Sequence, residues 1–288
     1  MKTVSLVLGS GGARGLAHIG VIHWLEENGY EIKSISGCSV GAMIGGIYAA
    51  GKLDEFEQWV RALTKLDILT LLDMSWSKSG LVRGDKIINS LVELVGDQTI
   101  EELPIPFTAV AADINNEKEV WMNSGSLFDA IRASISLPLF FTPYDRKGIK
   151  LIDGGVLNPV PIAPTFSDDT QITIAVNLGG PLENIKTFED RQKAPTKELH
   201  TFQEKISHYI SNFQKNIEIE VRELDLGVYD IANQAFDAMQ STIARQKLAA
   251  YPPDYTIEIA RNACGTLEFD RADEMIALGY KKATECLS

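Results

Sequence analysis

A serine stands between two glycines in Gly37-Cys38-Ser39-Val40-Gly41, after a short strand-like stretch at 34–36 and before a small-residue run at 42–50. Strand, sharp turn and helix in that order make a nucleophile elbow, with the serine hydroxyl standing on the turn. Gly37 and Gly41 let the backbone turn tightly without a Cβ clash. The helix that follows points its first free N–H groups, and the positive end of its dipole, at the serine. Both effects stabilise negative charge formed there. Taken alone the pattern is common, and a glycine-rich turn with an incidental serine is the competing reading.

A second glycine loop, Gly9-Ser10-Gly11-Gly12-Ala13-Arg14-Gly15, follows the apolar strand at 4–8. Two chemistries use such loops. A dinucleotide fingerprint needs Gly-x-Gly-x-x-Gly, but counting from Gly9 and Gly11 the third position is Arg14, where only a small residue lets the helix pack. The second strand ends in glycine and serine, with no acid to hold a ribose. The nearest approach to a P-loop runs from Gly46 to Gly51-Lys52, where Leu53 replaces the magnesium-binding hydroxyl. An oxyanion hole fits better: glycines leave their N–H groups unshielded, and a helix start adds its dipole. Gly11, Gly12 and Ala13 are the expected donors. Arg14 belongs to the same loop, where it braces the backbone, holds an anionic group of a substrate, or is simply a solvated helix-start arginine.

The third element is Lys150-Leu151-Ile152-Asp153-Gly154-Gly155, a strand that ends in an aspartate on a turn loosened by Gly154 and Gly155. Catalytic groups of open α/β sheets sit at such strand ends; an aspartate that merely caps the turn is the alternative. A serine hydroxyl needs a partner to take its proton. In the common hydrolase order that partner is a histidine late in the chain. Of the four histidines, His18 and His23 fall in the first helix, and His200 and His208 on a later amphipathic one. None sits in a strand-end loop, which leaves Asp153 acting directly on Ser39.

The elements that must carry these groups alternate. A helix over 16–27, apolar on nearly every side, ends at Gly29 and reads as buried against a sheet. Strand, loop, helix and strand in succession imply a parallel sheet with right-handed crossovers. Helices are expected at 53–64 and 86–95, with an irregular stretch between that includes Trp76, and Gly80 and Gly84 bracket a short extended piece. A buried strand at 107–112 returns through Asn115-Asn116 to 119–122. A helix at 127–134 starts on Ser126 with Asp129 and stops before Pro138. Ser134 and Ser136 read as structural. After a strand at 171–177, residues 181–222 turn polar, with an apolar stripe at Leu199, Phe202, Ile206, Ile210, Phe213 and Ile217. Such a stripe either packs on the sheet or serves as a cover whose face meets acyl chains or a membrane surface. A helix at 226–249, a strand at 255–259 and a helix at 272–286 close the chain.

Composition bounds the function. The 288 residues are 45% hydrophobic and 23% charged, with a formal net charge of -12. That balance supports a sizeable core and argues against nucleic acid as the main partner. It also argues against electrostatic capture by anionic lipid, which needs clustered Lys and Arg. The three cysteines show no metal spacing and cannot all pair, which suggests a reducing compartment. The N-terminus reads as a strand rather than a signal peptide, and no apolar run approaches the roughly 18 residues of a membrane span. A cytoplasmic location is expected.

Four stretches in order resemble the patatin-like phospholipases, including their small bacterial members: Gly11-Gly12-x-Arg14, Gly37-x-Ser39-x-Gly41, Ile131-Arg132-Ala133-Ser134-Ile135-Ser136-Leu137-Pro138 and Asp153-Gly154-Gly155. Each is weak alone; together and in sequence they are specific. The similarity covers roughly residues 3–180, with an echo at 253–259 and 268–279. The resemblance implies a three-layer α/β/α sandwich with a mainly parallel central sheet. It implies cleavage of lipid acyl esters by a Ser39–Asp153 dyad, with neither cofactor nor metal and with no nucleotide or nucleic acid as partner. Contact with a membrane surface would then be transient. One domain over 1–288 is expected, with 181–250 a helical insertion or cover and 251–288 a terminal strand and helix. A catalytically silent regulatory protein on the same fold is the alternative.

Overall fold

A computed structural model of the chain describes residues 1–71, 82–183 and 226–288. The chain divides into two compact units, Met1–Glu183 with Phe236–Ser288, and Asn184–Ala235. Of the second, only 226–235, the start of a long helix, lies among the described residues. The apolar stripe from Leu199 to Ile217, His200, His208, Trp76 and Gly80 lie outside them.

The strands are β1 (Lys2–Leu8), β2 (Tyr30–Cys38), β3 (Phe107–Asp113), β4 (Lys118–Met122), β5 (Tyr144–Arg146), β6 (Ile149–Asp153), β7 (Ile172–Gly180) and β8 (Tyr255–Ala260). The helices among the described residues are α1 (Ala17–Glu27), α2 (Val40–Ala49), α3 (Leu53–Arg61), α4 (Lys65–Leu71), α5 (Asp85–Val95), α6 (Leu127–Ser134), α7 (Leu226–Ala250) and α8 (Ala272–Leu287). Short 3₁₀ turns occupy Gly12–Leu16 and Gly154–Val156, so the first helix begins one residue later than its apolar run suggests.

The sheet runs β5-β6-β3-β2-β1-β7-β8, with β4 also paired to β3. β2, β1, β7 and β8 are parallel to their neighbours, as is β3 to β2. The antiparallel pairs are β3 with β4, β3 with β6 and β5 with β6. The sheet is therefore mainly parallel, with one antiparallel end. β5 and the β5–β6 hairpin are absent from the sequence reading because Tyr144–Arg146 is short and polar and carries no apolar alternation.

The layering follows from β1. Successive side chains of a strand point to opposite faces, and Val4 to Leu8 are all fully buried. Val7 packs with Val160, Ile162, Ala175 and Ala244 of α7, with Leu248 against them. On the other face, α2 lies so close that a Cβ on Gly45 would sit 2.8 Å from Ile35 and 3.1 Å from Leu8. Helices thus cover both faces, as a parallel strand buried on both sides requires. The result is a three-layer α/β/α sandwich. α1 and α8 cross closely on the outside, where a Cβ on Gly20 would meet the Ile276 carbonyl at 1.9 Å. No helix among the described residues is long and apolar enough to cross a membrane.

Candidate active site

β2 ends at Cys38 and α2 begins at Val40, so Ser39 alone makes the turn. Its backbone sits at φ 56 and ψ -126, a region that glycine favours and that costs another residue roughly 1–3 kcal/mol. The surroundings enforce it. The Ser39 carbonyl accepts the amides of Ala42 and Met43 at 2.9 and 3.1 Å. Its amide donates to Ser134 Oγ at 2.8 Å, and the Ser134 hydroxyl donates to the Val110 carbonyl at 2.6 Å. Both elbow glycines are sterically required: a Cβ on Gly37 would lie 2.5 Å from the Gly41 carbonyl, and one on Gly41 would lie 2.1 Å from the Leu8 carbonyl.

The acid arrives from an unexpected direction. β4 occupies one edge of β3 over Ala109 to Asp113. The other edge is shared: β2 pairs with Phe107 to Val110, and β6, running the opposite way, pairs with Ala111 to Asp113. β6 therefore meets β2 end to end, and its last residue is Asp153. The sequence reading has Asp153 at a strand's carboxyl end, as in a parallel sheet; that strand is in fact antiparallel, and its carboxyl end reaches the elbow head-on. Asp153 Oδ2 accepts the Ser39 hydroxyl at 2.5 Å, and Oδ1 accepts the Gly155 amide at 2.7 Å. Cys38 Sγ lies 3.9 Å from Oδ1. Burial raises the carboxyl to about 6, against the opposing pull of the hydrogen bonds from Ser39, Gly155 and Cys38. Gly154 and Gly155 have no room for side chains, since a Cβ would meet the Val110 carbonyl at 2.2 Å and Gln240 Nε2 at 2.1 Å respectively.

The loop after β1 packs over the same turn. Leu8 pairs with Gly37, and a Cβ on Gly15 would strike the Val40 side chain at 2.3 Å. The Gly9 amide donates to the Val176 carbonyl and the Ser10 amide to the Pro159 carbonyl. The Ala13 amide donates to the Thr266 carbonyl at 2.9 Å. Ala13 is thus corrected as an oxyanion donor, because its N–H is already used to fix the loop. The amides of Gly11 and Gly12 make no hydrogen bond to another described residue. Arg14 is not a solvated helix-start residue either. It is 3% exposed, and its guanidinium donates to the carbonyls of Gly11 and Arg261 and to Asp237. Of the roles open to it, the side chain takes that of a brace.

Neither described histidine bonds to Ser39. Burial lowers His18 to about 4, so its neutral ring donates from Nε2 to the Gly9 carbonyl at 2.9 Å. His23 pairs with Glu57. Several supporting residues are invisible in the sequence pattern. Glu119 accepts from Asn158 of the acid turn and from Lys247 of α7. Arg132 donates to Ser136, Thr142 and Arg83 and lies over the Phe141 ring. Ser136 in turn offers its carbonyl to the Asp153 amide at 2.9 Å. The Arg132–Ser136 stretch stands out in the sequence, but nothing in it reveals these partners.

A three-layer α/β/α sandwich with a serine on a strained turn, hydrogen-bonded to a buried carboxylate, defines the class. The family model described as Patatin-like phospholipase matches residues 6–166. The chain is 40% identical to an uncharacterized NTE family protein of Mycobacterium bovis, over 99% of this chain and 91% of that one. It is 31% identical to human patatin-like phospholipase domain-containing protein 6, over 66% of this chain and 14% of that protein. It is 26% identical to lysophospholipase nte1 of Emericella nidulans, over 99% of this chain and 18% of that one. The chain belongs to the patatin-like phospholipase family, and with it to the lipid hydrolases.

Proposed function

We propose that the chain hydrolyses fatty-acyl esters of phospholipids or lysophospholipids through an acyl-enzyme formed on Ser39. The observation that carries this reading is the 2.5 Å hydrogen bond from Ser39 Oγ to Asp153 Oδ2 on the strained elbow. Asp153 takes the hydroxyl proton as Oγ attacks the ester carbonyl. The amides of Gly11 and Gly12, with the N-terminus of α2, receive the oxyanion. Collapse of the tetrahedral intermediate expels the alcohol, which takes the proton from Asp153. Water, deprotonated by the same carboxylate, then attacks the acyl-enzyme and releases the fatty acid. A base near 6 is half-ionised just below neutrality and can return its proton, which suits both steps.

Family membership and the lysophospholipase among the relatives support a lipid substrate. With a net charge of -12, contact with a lipid surface would be transient and rest on apolar groups. The test is release of fatty acid from a lysophospholipid and from a diacyl phospholipid in mixed micelles. Wild type should release it and Ser39→Ala should not. Equal release by both proteins, or none by wild type from either lipid, would contradict the reading.

A further inference from the structure

The Gly11–Gly12 peptide is a planar trans unit, so its carbonyl and its N–H point in opposite directions. Arg14 Nε donates to the Gly11 carbonyl at 2.9 Å. Holding that carbonyl on the Arg14 side turns the Gly12 N–H to the opposite side. Gly12 is at φ 57, a conformation open to glycine, and the Ala13 amide anchors the far side of the peptide to the Thr266 carbonyl. The Arg14 guanidinium is thus one of the restraints that set the orientation of one oxyanion donor.

Three contacts fix that guanidinium, and one of them carries charge. Nη1 donates to the Arg261 carbonyl at 2.8 Å, and Nη2 pairs with Asp237 Oδ1 at 2.8 Å. A guanidinium this deeply buried needs a counter-charge, and among the described residues Asp237 is the carboxylate paired with it. Asp237 lies on α7, beyond the residues 6–166 that define the family match. The same helix puts Gln240 against Gly155 and Lys247 on Glu119, which holds Asn158 of the acid turn. Asp237 is 28% exposed at its side chain, so it can be changed without opening the core.

We propose that Asp237 is a positioning residue for acyl transfer: through Arg14 it sets the Gly11–Gly12 peptide so that the Gly12 N–H faces the developing oxyanion. This rests on the reading of Ser39 as nucleophile. The experiment uses the full chain, a soluble short-chain nitrophenyl ester and a trifluoromethyl ketone, which forms a tetrahedral oxyanion adduct with a serine. Asp237→Asn should lower kcat about tenfold or more with KM within about twofold, and weaken the ketone by the same factor. The acid limb of the pH–rate profile should stay where it is, and Asp237→Glu should recover activity. Arg14→Lys, which keeps the charge but loses the Nε donor, should match Asp237→Asn, and the double variant should be no worse than either single. Asp237→Asn with kcat within about twofold of wild type overturns the proposal. So does a loss of kcat with unchanged ketone affinity, with a displaced acid limb, or additive with Arg14→Lys. If Asp237→Asn does not fold, Arg14→Lys decides alone by the same criteria. A wild type that neither turns over the ester nor binds the ketone overturns the reading of Ser39 as well; an active wild type with an unimpaired Asp237→Asn overturns this inference only.

Discussion

Cys38 and Asp153 occupy consecutive rungs along one edge of β3, Cys38 opposite Val110 and Asp153 opposite Ala111. The parallel strand that leads into Ser39 and the antiparallel strand that ends in Asp153 thus abut, and β3 is the ruler that sets their separation. This junction explains how Ser39 and Asp153, 114 residues apart in sequence, come within 2.5 Å of one another. It also explains why Asp153 is buried: it is enclosed between two strand ends rather than standing on an open loop.

Burial makes Asp153 a cost to the fold. Its pKa rises from 3.8 to about 6 on folding, so between those values the native state binds more protons than the unfolded state. Stability falls as pH rises through that window, and the full cost, on the order of 2–3 kcal/mol, is present above pH 6. Asp153→Asn removes it. Denaturant unfolding should find Asp153→Asn more stable than wild type at pH 8, with the difference vanishing near pH 4. Equal stability at pH 8 would contradict the burial argument.

His18 acts in the opposite sense over the same range. Its pKa falls from 6.5 to about 4, so its contribution is intact above pH 6.5 and is lost as pH falls through 4. In wild type the two groups offset each other. Asp153→Asn should therefore lose stability steeply between pH 6.5 and 4 where wild type changes little, and parallel curves would refute the pairing.

Catalysis reads the same carboxyl directly. With Asp153 as base, kcat/KM should rise about tenfold per pH unit below 6 and level off above it. A profile flat from pH 5 to 8 would remove Asp153 from the role. Asp153→Asn should cost on the order of a hundredfold to ten-thousandfold in kcat.

Much of this site is legible in the sequence, for a physical reason. Gly37, Gly41, Gly154 and Gly155 sit where a Cβ has no room, so the pattern records the steric demand itself. The strands β1 and β3 declare themselves through mostly apolar runs. What stays hidden depends on distant partners. The amide of Ala13 is lost to the carbonyl of Thr266, and Arg14 finds its counter-ion 223 residues away. The direction of β6 is set by the β5 hairpin, whose Tyr144–Arg146 strand has no apolar signature.

The elbow strain gives a stability prediction. Ser39 at φ 56 and ψ -126 stands in a region natural to glycine, so Ser39→Gly should be more stable than Ser39→Ala by about 1–3 kcal/mol, both being inactive. Unfolding midpoints compared side by side check it, and an alanine variant at least as stable would show that the turn is unstrained.

Ser134 is the clamp beneath the elbow. Ser134→Ala leaves the Ser39 amide without its acceptor and the Val110 carbonyl without its donor. A stability loss of roughly 1–3 kcal/mol is expected, with a fall in kcat as the nucleophile loosens. Wild-type kcat in that variant would make the clamp irrelevant to catalysis.

The central claim is that Ser39 is activated by Asp153, and intact-mass analysis after fluorophosphonate treatment tests it most directly. Wild type should gain the mass of one adduct, while Ser39→Ala and Asp153→Ala gain none. Full labelling of Asp153→Ala, or an adduct that persists in Ser39→Ala, would contradict the dyad.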